Sequence, residues 1–349
     1  MKLGRHIPAS PRPVHAAEIA QELGCDTIQI FVNNPTGWAQ PREEIVKPGK
    51  VDTGTAFAAA AAERGLAPIV VHAPYLINLA TPDATIFDKS VILLGGTIQR
   101  ASRFGARYVV FHIGSHRGAG VAAGIARIAE GLAHILPAAP EGVVVLLEND
   151  VGAGYEVGNK IEHLAAVLDA LPEHRERLGI CLDTAHLWGA GYDLSTAEEV
   201  AGILAEVDRL VGLQRLPVIH LNDTKTALGG HRDLHARIGE GIIPEAGLRA
   251  LLRHPALQET AFILETPIET LEDDKDRPDW ARDAAHLARV RALARERPTG
   301  ARRRGNSSGP RGEAENAGAG HPQGPLPEGG GKRQPPEALG AGAPVAEGA

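Results

Sequence analysis

The feature that most constrains this chain is a repeated alternation. Eight short runs of β-branched and aliphatic residues occupy positions 3–7, 27–32, 69–71, 108–111, 143–147, 179–182, 218–221 and 261–264. Between most of them lie Ala- and Leu-rich stretches with helical spacing, such as 121–136 and 195–210. Alternating buried strands and helices imply a parallel sheet with helical crossovers. Eight such units suit a closed barrel, which typically takes about 250 residues. An open doubly wound sheet usually carries a glycine-rich ligand turn, and no G-x-G-x-x-G or P-loop pattern follows the first run. The expected fold is an α/β, (β/α)8 (TIM) barrel.

Composition sets the borders of that domain. The 349 residues change character near position 298, after which Gly, Ala, Pro, Glu and Arg dominate and large apolar residues all but vanish. Such a segment cannot bury enough surface to offset its ordering entropy. The barrel is therefore assigned to 1–298 and a disordered tail to 299–349, with Arg302, Arg303 and Arg304 read as a solvated charge run. No apolar run approaches the roughly 20 residues of a membrane helix, and MKLGRHIPAS lacks an apolar secretory core. Two cysteines, Cys25 and Cys181, are too few for a disulfide framework. The expectation is a reduced, cytoplasmic protein without a membrane partner. A net charge of −7 speaks against a nucleic-acid partner only if none of the acids binds a cation.

The ends of these runs are chemically unusual. They read VVHAPY, VVFHIGSH, VVLLEND, GICLDTAH, PVIHLND and AFILET, so six of eight deliver a His, Asp or Glu. In an α/β barrel those C-terminal ends converge on one face. Any one of these residues has an ordinary structural explanation. Together, without compensation, they would repel one another or lose their charges, and divalent metals resolve the conflict. Imidazole and carboxylate suit Zn, Mn and Fe.

In order, HAPYLINL (72–79), FHIGSH (111–116), LEND (147–150), CLDTAHLWGAGYDL (181–194), IHLNDTK (219–225), DLHARIGEG (233–241) and ILET (263–266) resemble the endonuclease IV family of zinc-dependent apurinic/apyrimidinic endonucleases. The resemblance covers about residues 1–295. It implies a trinuclear zinc site in which His72, His112 and Glu148 hold one ion. Glu148 would bridge to a second held by Asp183, His220 and Glu265, and His186, Asp233 and His235 would hold the third. Glu148 and Glu265 would act in catalysis through metal coordination. Mn or Fe could replace part of the zinc. The implied activity is hydrolysis of the phosphodiester 5′ to an abasic site in double-stranded DNA, leaving a 3′-hydroxyl. The metals would supply both the activated water and the charge neutralisation. The enzyme is expected to be monomeric.

The resemblance also names a DNA-facing set: His6, Asn34, Tyr75 and Leu76. Here the sequence departs from the family. A Pro-rich loop, His6 to Pro13, replaces a small Ser-Gly-Gly turn, and its prolines remove backbone donors. Thr36 stands where relatives carry an Arg that enters the base stack. Trp38 and Tyr75 each read either as packing or as a DNA contact. His116 reads as structural, and Cys181 as a buried strand residue; His231 is an alternative to His235 that the register to Gly239-Glu240-Gly241 disfavours. The rival enzyme is a metal-dependent sugar isomerase or epimerase of the related barrel group, for which Glu148, Asp183, His220 and Glu265 would suffice. His72, His112, His186, Asp233 and His235 would then be surplus. A DNA-damage-binding module without turnover is the non-enzymatic alternative.

Overall fold

A computed structural model describes residues 1–40, 46, 50–275 and 277–295; the tail assigned to 299–349 lies outside them. Among the described residues ten strands are formed: β1 (Lys2–His6), β2 (Thr27–Phe31), β3 (Ile69–His72), β4 (Tyr108–His112), β5 (Val144–Glu148), β6 (Leu178–Asp183), β7 (Val218–His220), β8 (Asp223–Thr224), β9 (His235–Ala236) and β10 (Ala261–Leu264). Eight of them close a parallel barrel in the order β1-β10-β7-β6-β5-β4-β3-β2, and β8 and β9 pair as a separate antiparallel ribbon. The expected barrel is present. The ribbon is not foreseeable from sequence, because two-residue strands leave no periodicity to read.

The helices follow in turn: α1 (Pro13–Glu22), α2 (Thr53–Glu63), α3 (Ala84–Arg103), α4 (Val121–Ile135), α5 (Ile161–Asp169), α6 (Thr184–Ala190), α7 (Ala197–Leu210), α8 (Glu245–Arg253) and α9 (Trp280–Arg295). The helix expected from 195 starts at Ala197 because the Thr196 side chain accepts the Glu199 N–H and caps it. Residues Val121–Ala138 are the one described helical stretch apolar enough to match a membrane span in length. It buries Ile128, Leu132 and Ile135 in the main hydrophobic core, as an amphipathic barrel helix does.

Two apolar clusters support the barrel. Val70, Val110, Leu146, Cys181, Val218, Ala261 and Ile263 form one, and a much larger one lies between strands and helices. Alternate residues of β3 to β7 and of β10 supply the two sets, as the two-residue repeat requires. Cys181 is fully buried, and burial pushes its thiol up to about 11. Strand pairing then places polar ends side by side. His112 stands in register with Glu148, and Asp183 with His220.

Candidate metal centre

Three sets of side chains come close enough to share an ion: His72, His112 and Glu148; Glu148, Asp183, His220 and Glu265; and Asp183, His186 and His235. Within each set the candidate ligand atoms all lie within 4.8 Å of one another. Asp233 joins the third, with Oδ1 3.0 Å from His235 Nε2 and Oδ2 3.5 Å from His186 Nε2. All nine sequence-derived candidates thus meet on one face. His231 is not among them: its Nδ1 lies 2.8 Å from the Val151 carbonyl oxygen.

Local structure explains how each group is held. Glu148 ends β5, is fully buried and faces His72 Nε2 at 3.2 Å with Oε2 and His220 Nδ1 at 2.8 Å with Oε1. Both oxygens therefore point at different neighbours, the shape a bridging carboxylate needs. Asp183 ends β6 and divides its work. Its Oδ1 accepts the Ala185 and His186 N–H groups, starting α6, and its Oδ2 lies 3.5 Å from His235 Nε2. That cap sets His186 one turn into the helix, facing the same centre.

The imidazoles are oriented from behind. His72 Nδ1 lies 2.7 Å from the Ala73 carbonyl oxygen and His186 Nδ1 2.9 Å from that of Asn149, which leaves each Nε2 facing inward. His112 Nδ1 is backed by Asp150 at 3.6 Å. Hydrogen-bonded outer partners of this kind fix ring orientation and raise ligand basicity. Five imidazoles and four carboxylates so arranged are a donor set that zinc-class ions accept.

Sequence reasoning missed several of these outer partners. Gln29 lies fully buried in β2, where its Nε2–H donates to Glu265 Oε1 at 2.6 Å and its Oε1 lies 2.9 Å from His220 Nε2. Its one signal is a lone amide in the otherwise apolar run TIQIF. Asn222 donates to Asp183 Oδ2 at 2.6 Å and accepts the Glu265 N–H at 2.9 Å. Asn149 Oδ1 accepts the Asp183 N–H at 2.6 Å. Both asparagines sit inside the motifs LEND and HLND, where charged neighbours overshadow them.

Electrostatics among the protein groups of the site follow from this crowding. Burial alone would lower the His112 imidazole, but Glu148 and Asp150 outweigh it and push it up to about 9. His235 reaches about 9 in the same way, burial being outweighed by Asp183 and Asp233. Burial would raise Glu148 and Glu265, yet His112 and His220 hold the first, and His220 and His6 the second, well below the usual carboxylate range. Glu156, beside Asp150, is pushed up to about 7 by burial and by that neighbouring charge.

The DNA-facing candidates are arranged around the rim. Tyr75 is 55% exposed, its ring 5.4 Å from that of His72 and 6.0 Å from that of His112. Leu76 is half-buried beside it. His6 ends β1, with Nδ1 3.0 Å from Gln29 Nε2 and 3.8 Å from Glu265 Oε1. Asn34 is engaged locally: its Oδ1 accepts from both the N–H and the hydroxyl of Thr36. Trp38 packs against the main core, and His116 Nδ1 accepts the Gly118 and Gly120 N–H groups, organising a turn.

Comparison with known proteins agrees with this geometry. Residues 17–290 match the xylose isomerase-like TIM barrel family. A probable endonuclease 4 of Methanoculleus marisnigri is 41% identical, covering 84% of this chain and 98% of that protein. Another, from Natranaerobius thermophilus, is 43% identical over 76% of this chain and 92% of its own. The crystal structure of endonuclease IV from Thermus thermophilus superposes with a TM-score of 0.69 at 34% identity, covering 84% of this chain and 98% of that one. A D-psicose 3-epimerase shares the fold at 16% identity and a TM-score of 0.60. With nine candidate ligands gathered on one barrel face and relatives matched along nearly their whole length, the chain belongs to the endonuclease IV family of xylose isomerase-like TIM barrels.

Proposed function

We propose that this DNA-repair endonuclease hydrolyses the phosphodiester 5′ to abasic sites in double-stranded DNA, leaving a 3′-hydroxyl, with three zinc ions held by these nine side chains. In part of the sites Mn or Fe could stand in, since the donors are imidazole and carboxylate. The single observation that carries the reading is the third group. An epimerase-type site needs only Glu148, Asp183, His220 and Glu265, whereas here His186, Asp233 and His235 also converge. Identity supports the same choice, 34% to the Thermus endonuclease against 16% to the epimerase. Cytoplasmic location and a monomeric state complete the proposal.

The protein's own part is to hold charge and geometry. When bound, zinc-class ions lower the pKa of water and offset charge on attacking and leaving oxygens. Glu148 joins two ligand groups through its two oxygens. Asp183 fixes the start of α6 with Oδ1 while Oδ2, oriented by Asn222, faces the third group. Gln29 holds the Glu265 carboxylate and the His220 ring in one orientation, so neither has to reorganise during reaction. Tyr75 and Leu76 offer an apolar rim against which an unstacked nucleotide can rest, offsetting an extrusion that costs a few kcal/mol.

The test is incubation of the zinc-loaded protein with a duplex carrying a stable abasic analogue. Incision immediately 5′ to the analogue is expected, and none with an undamaged duplex. Glu148→Gln should lower the rate by roughly two orders of magnitude or more, since even outer partners of metal ligands are worth 10–100-fold. Zinc content near one per chain, with turnover of a ketose instead, would overturn the proposal in favour of the epimerase reading.

A further inference from the structure

The ligands of the centre are not equally supported. His72, His112, Glu148, Asp183 and His220 end barrel strands and are fixed by the ladders beside them. His235 sits in the two-residue β9, and Glu265 lies just past the end of β10. Both are followed by irregular backbone. Something outside the ladder has to fix them.

That support comes from a helix which reads, in sequence, as a plain surface element. Asp283, near the start of α9, is fully buried. Its Oδ1 forms ion pairs with Arg5 and, at 3.3 Å, with Arg237. Each arginine also donates to backbone next to the centre. Arg5 donates from Nη2 to the Thr266 carbonyl at 3.1 Å and from Nε to the His6 carbonyl at 3.2 Å. Arg237, two residues after His235, donates to the Pro267 carbonyl at 3.2 Å and pairs with Glu269. One turn along the same helix face, His286 Nε2 accepts the Ile238 N–H at 2.9 Å. Three chain segments that carry His6, His235 and Glu265 are thereby tied to one helix.

We propose that Asp283 is a positioning residue for the metal centre, acting through the forks of Arg5 and Arg237 to set Glu265 and His235 at a fixed separation. The inference rests on the metal-centre reading. Its physical basis is that a buried ion pair is a poor stabiliser, often replaceable by apolar residues without loss. What it supplies is direction: a guanidinium presents several donors in a rigid plane. Here those donors fall on the Thr266 and Pro267 carbonyls just after Glu265. Arg237 itself follows His235 by two residues, so the two ligands of different groups are tied through one fork. Burial would lower the Arg5 guanidinium, and Asp283 opposes that by holding its charge in place.

The test compares Asp283→Asn with Arg177→Met in the full chain. Arg177 donates to the Ala139, Pro140 and Val143 carbonyls before β5, at the opposite end of the barrel, and serves as a control for general destabilisation. Both proteins are stripped of metal, reloaded with zinc against a graded chelator, and loaded separately with cobalt for visible spectroscopy. Asp283→Asn should weaken at least one zinc by roughly 10–100-fold and alter the cobalt bands. Its incision should show a lower kcat with little change in KM. Arg177→Met should leave zinc affinity and cobalt bands as in the wild type. If Asp283→Asn keeps full zinc affinity and an unchanged cobalt spectrum, the proposal is overturned. Should Asp283→Asn fail to fold, Arg237→Lys, which keeps the charge and loses the fork, must give the same selective weakening or the proposal falls. Wild-type protein that takes up no zinc removes the centre itself and this inference with it. Wild-type protein that binds zinc without cutting abasic DNA overturns only the activity.

Discussion

At the scale of single residues, the centre depends on neutral groups as much as on ligands. Gln29→Met should leave the His220 Nε2 without its acceptor, at a cost of about 1–3 kcal/mol for a buried unsatisfied donor. The same change should weaken zinc by roughly 10–100-fold, read by chelator competition; unchanged affinity would show that Gln29 has no part in orienting His220. Protonation offers a second check. His112 and His235, pushed up to about 9, carry protons near neutral pH when no metal is present. Metal ligation needs neutral imidazole, so zinc uptake at about pH 7.5 should release protons, measurable as acidification of a weakly buffered solution. The linkage has a definite sign. Raised histidines favour the metal-free fold below their ordinary 6.5, and that contribution is lost as pH rises through about 9. The lowered Glu148 and Glu265 favour it above their ordinary 4.5, and theirs is lost as pH falls. The thermal midpoint of metal-free protein should therefore decline from pH 6.5 toward 9, and a midpoint that rises across this window would contradict the assignment.

Among elements, the segment between β8 and α8 shows how an irregular stretch can be specified by one side chain. Asp223 is fully buried, and its carboxylate accepts the N–H groups of Gly239, Gly241 and Ile243, each at 3.0 Å. A Cβ at Gly241 would run into that carboxylate. Gly241→Ala should thus cost about 1–3 kcal/mol by denaturant unfolding and loosen the third ligand group. A stability within experimental error of the wild type would show that the loop has room. None of this is legible in the sequence. Asp223 follows an asparagine and looks like one more acid, and its partners are backbone amides that leave no residue pattern. The barrel is legible because strand and helix periodicities repeat eight times. Six of the nine candidate ligands are legible because strand ends share one face; His186, Asp233 and His235 are legible through the motif resemblance. The polar singletons Gln29, Asn222 and Asp283 are not, since a lone buried amide or a helical Asp acquires its meaning only from partners distant in sequence.

For the whole molecule, metal and scaffold are separable contributions. The barrel has its own strand ladders and two apolar clusters, so chelation should leave far-ultraviolet circular dichroism nearly unchanged at room temperature. Stability should still drop. A ligand at a thousand times its Kd adds about 4 kcal/mol, which for a domain of this size moves the thermal midpoint on the order of 10 °C. Equal midpoints with and without zinc would argue that the nine side chains do not bind it in the folded state.

Ring closure has a consequence for how the molecule is made. β1 completes the barrel by pairing Lys2 with Ala261. The first strand synthesised must therefore wait for nearly the last. At about 5–20 residues per second, a ribosome leaves that edge unpaired for roughly 13–50 s. Glu265, the last of the nine candidate ligands along the chain, has to meet Glu148, Asp183 and His220 across the finished ring. If the centre takes zinc as proposed, its uptake should act as a clock for ring closure: a stopped-flow zinc probe during refolding should report the slowest step, after the helices have formed.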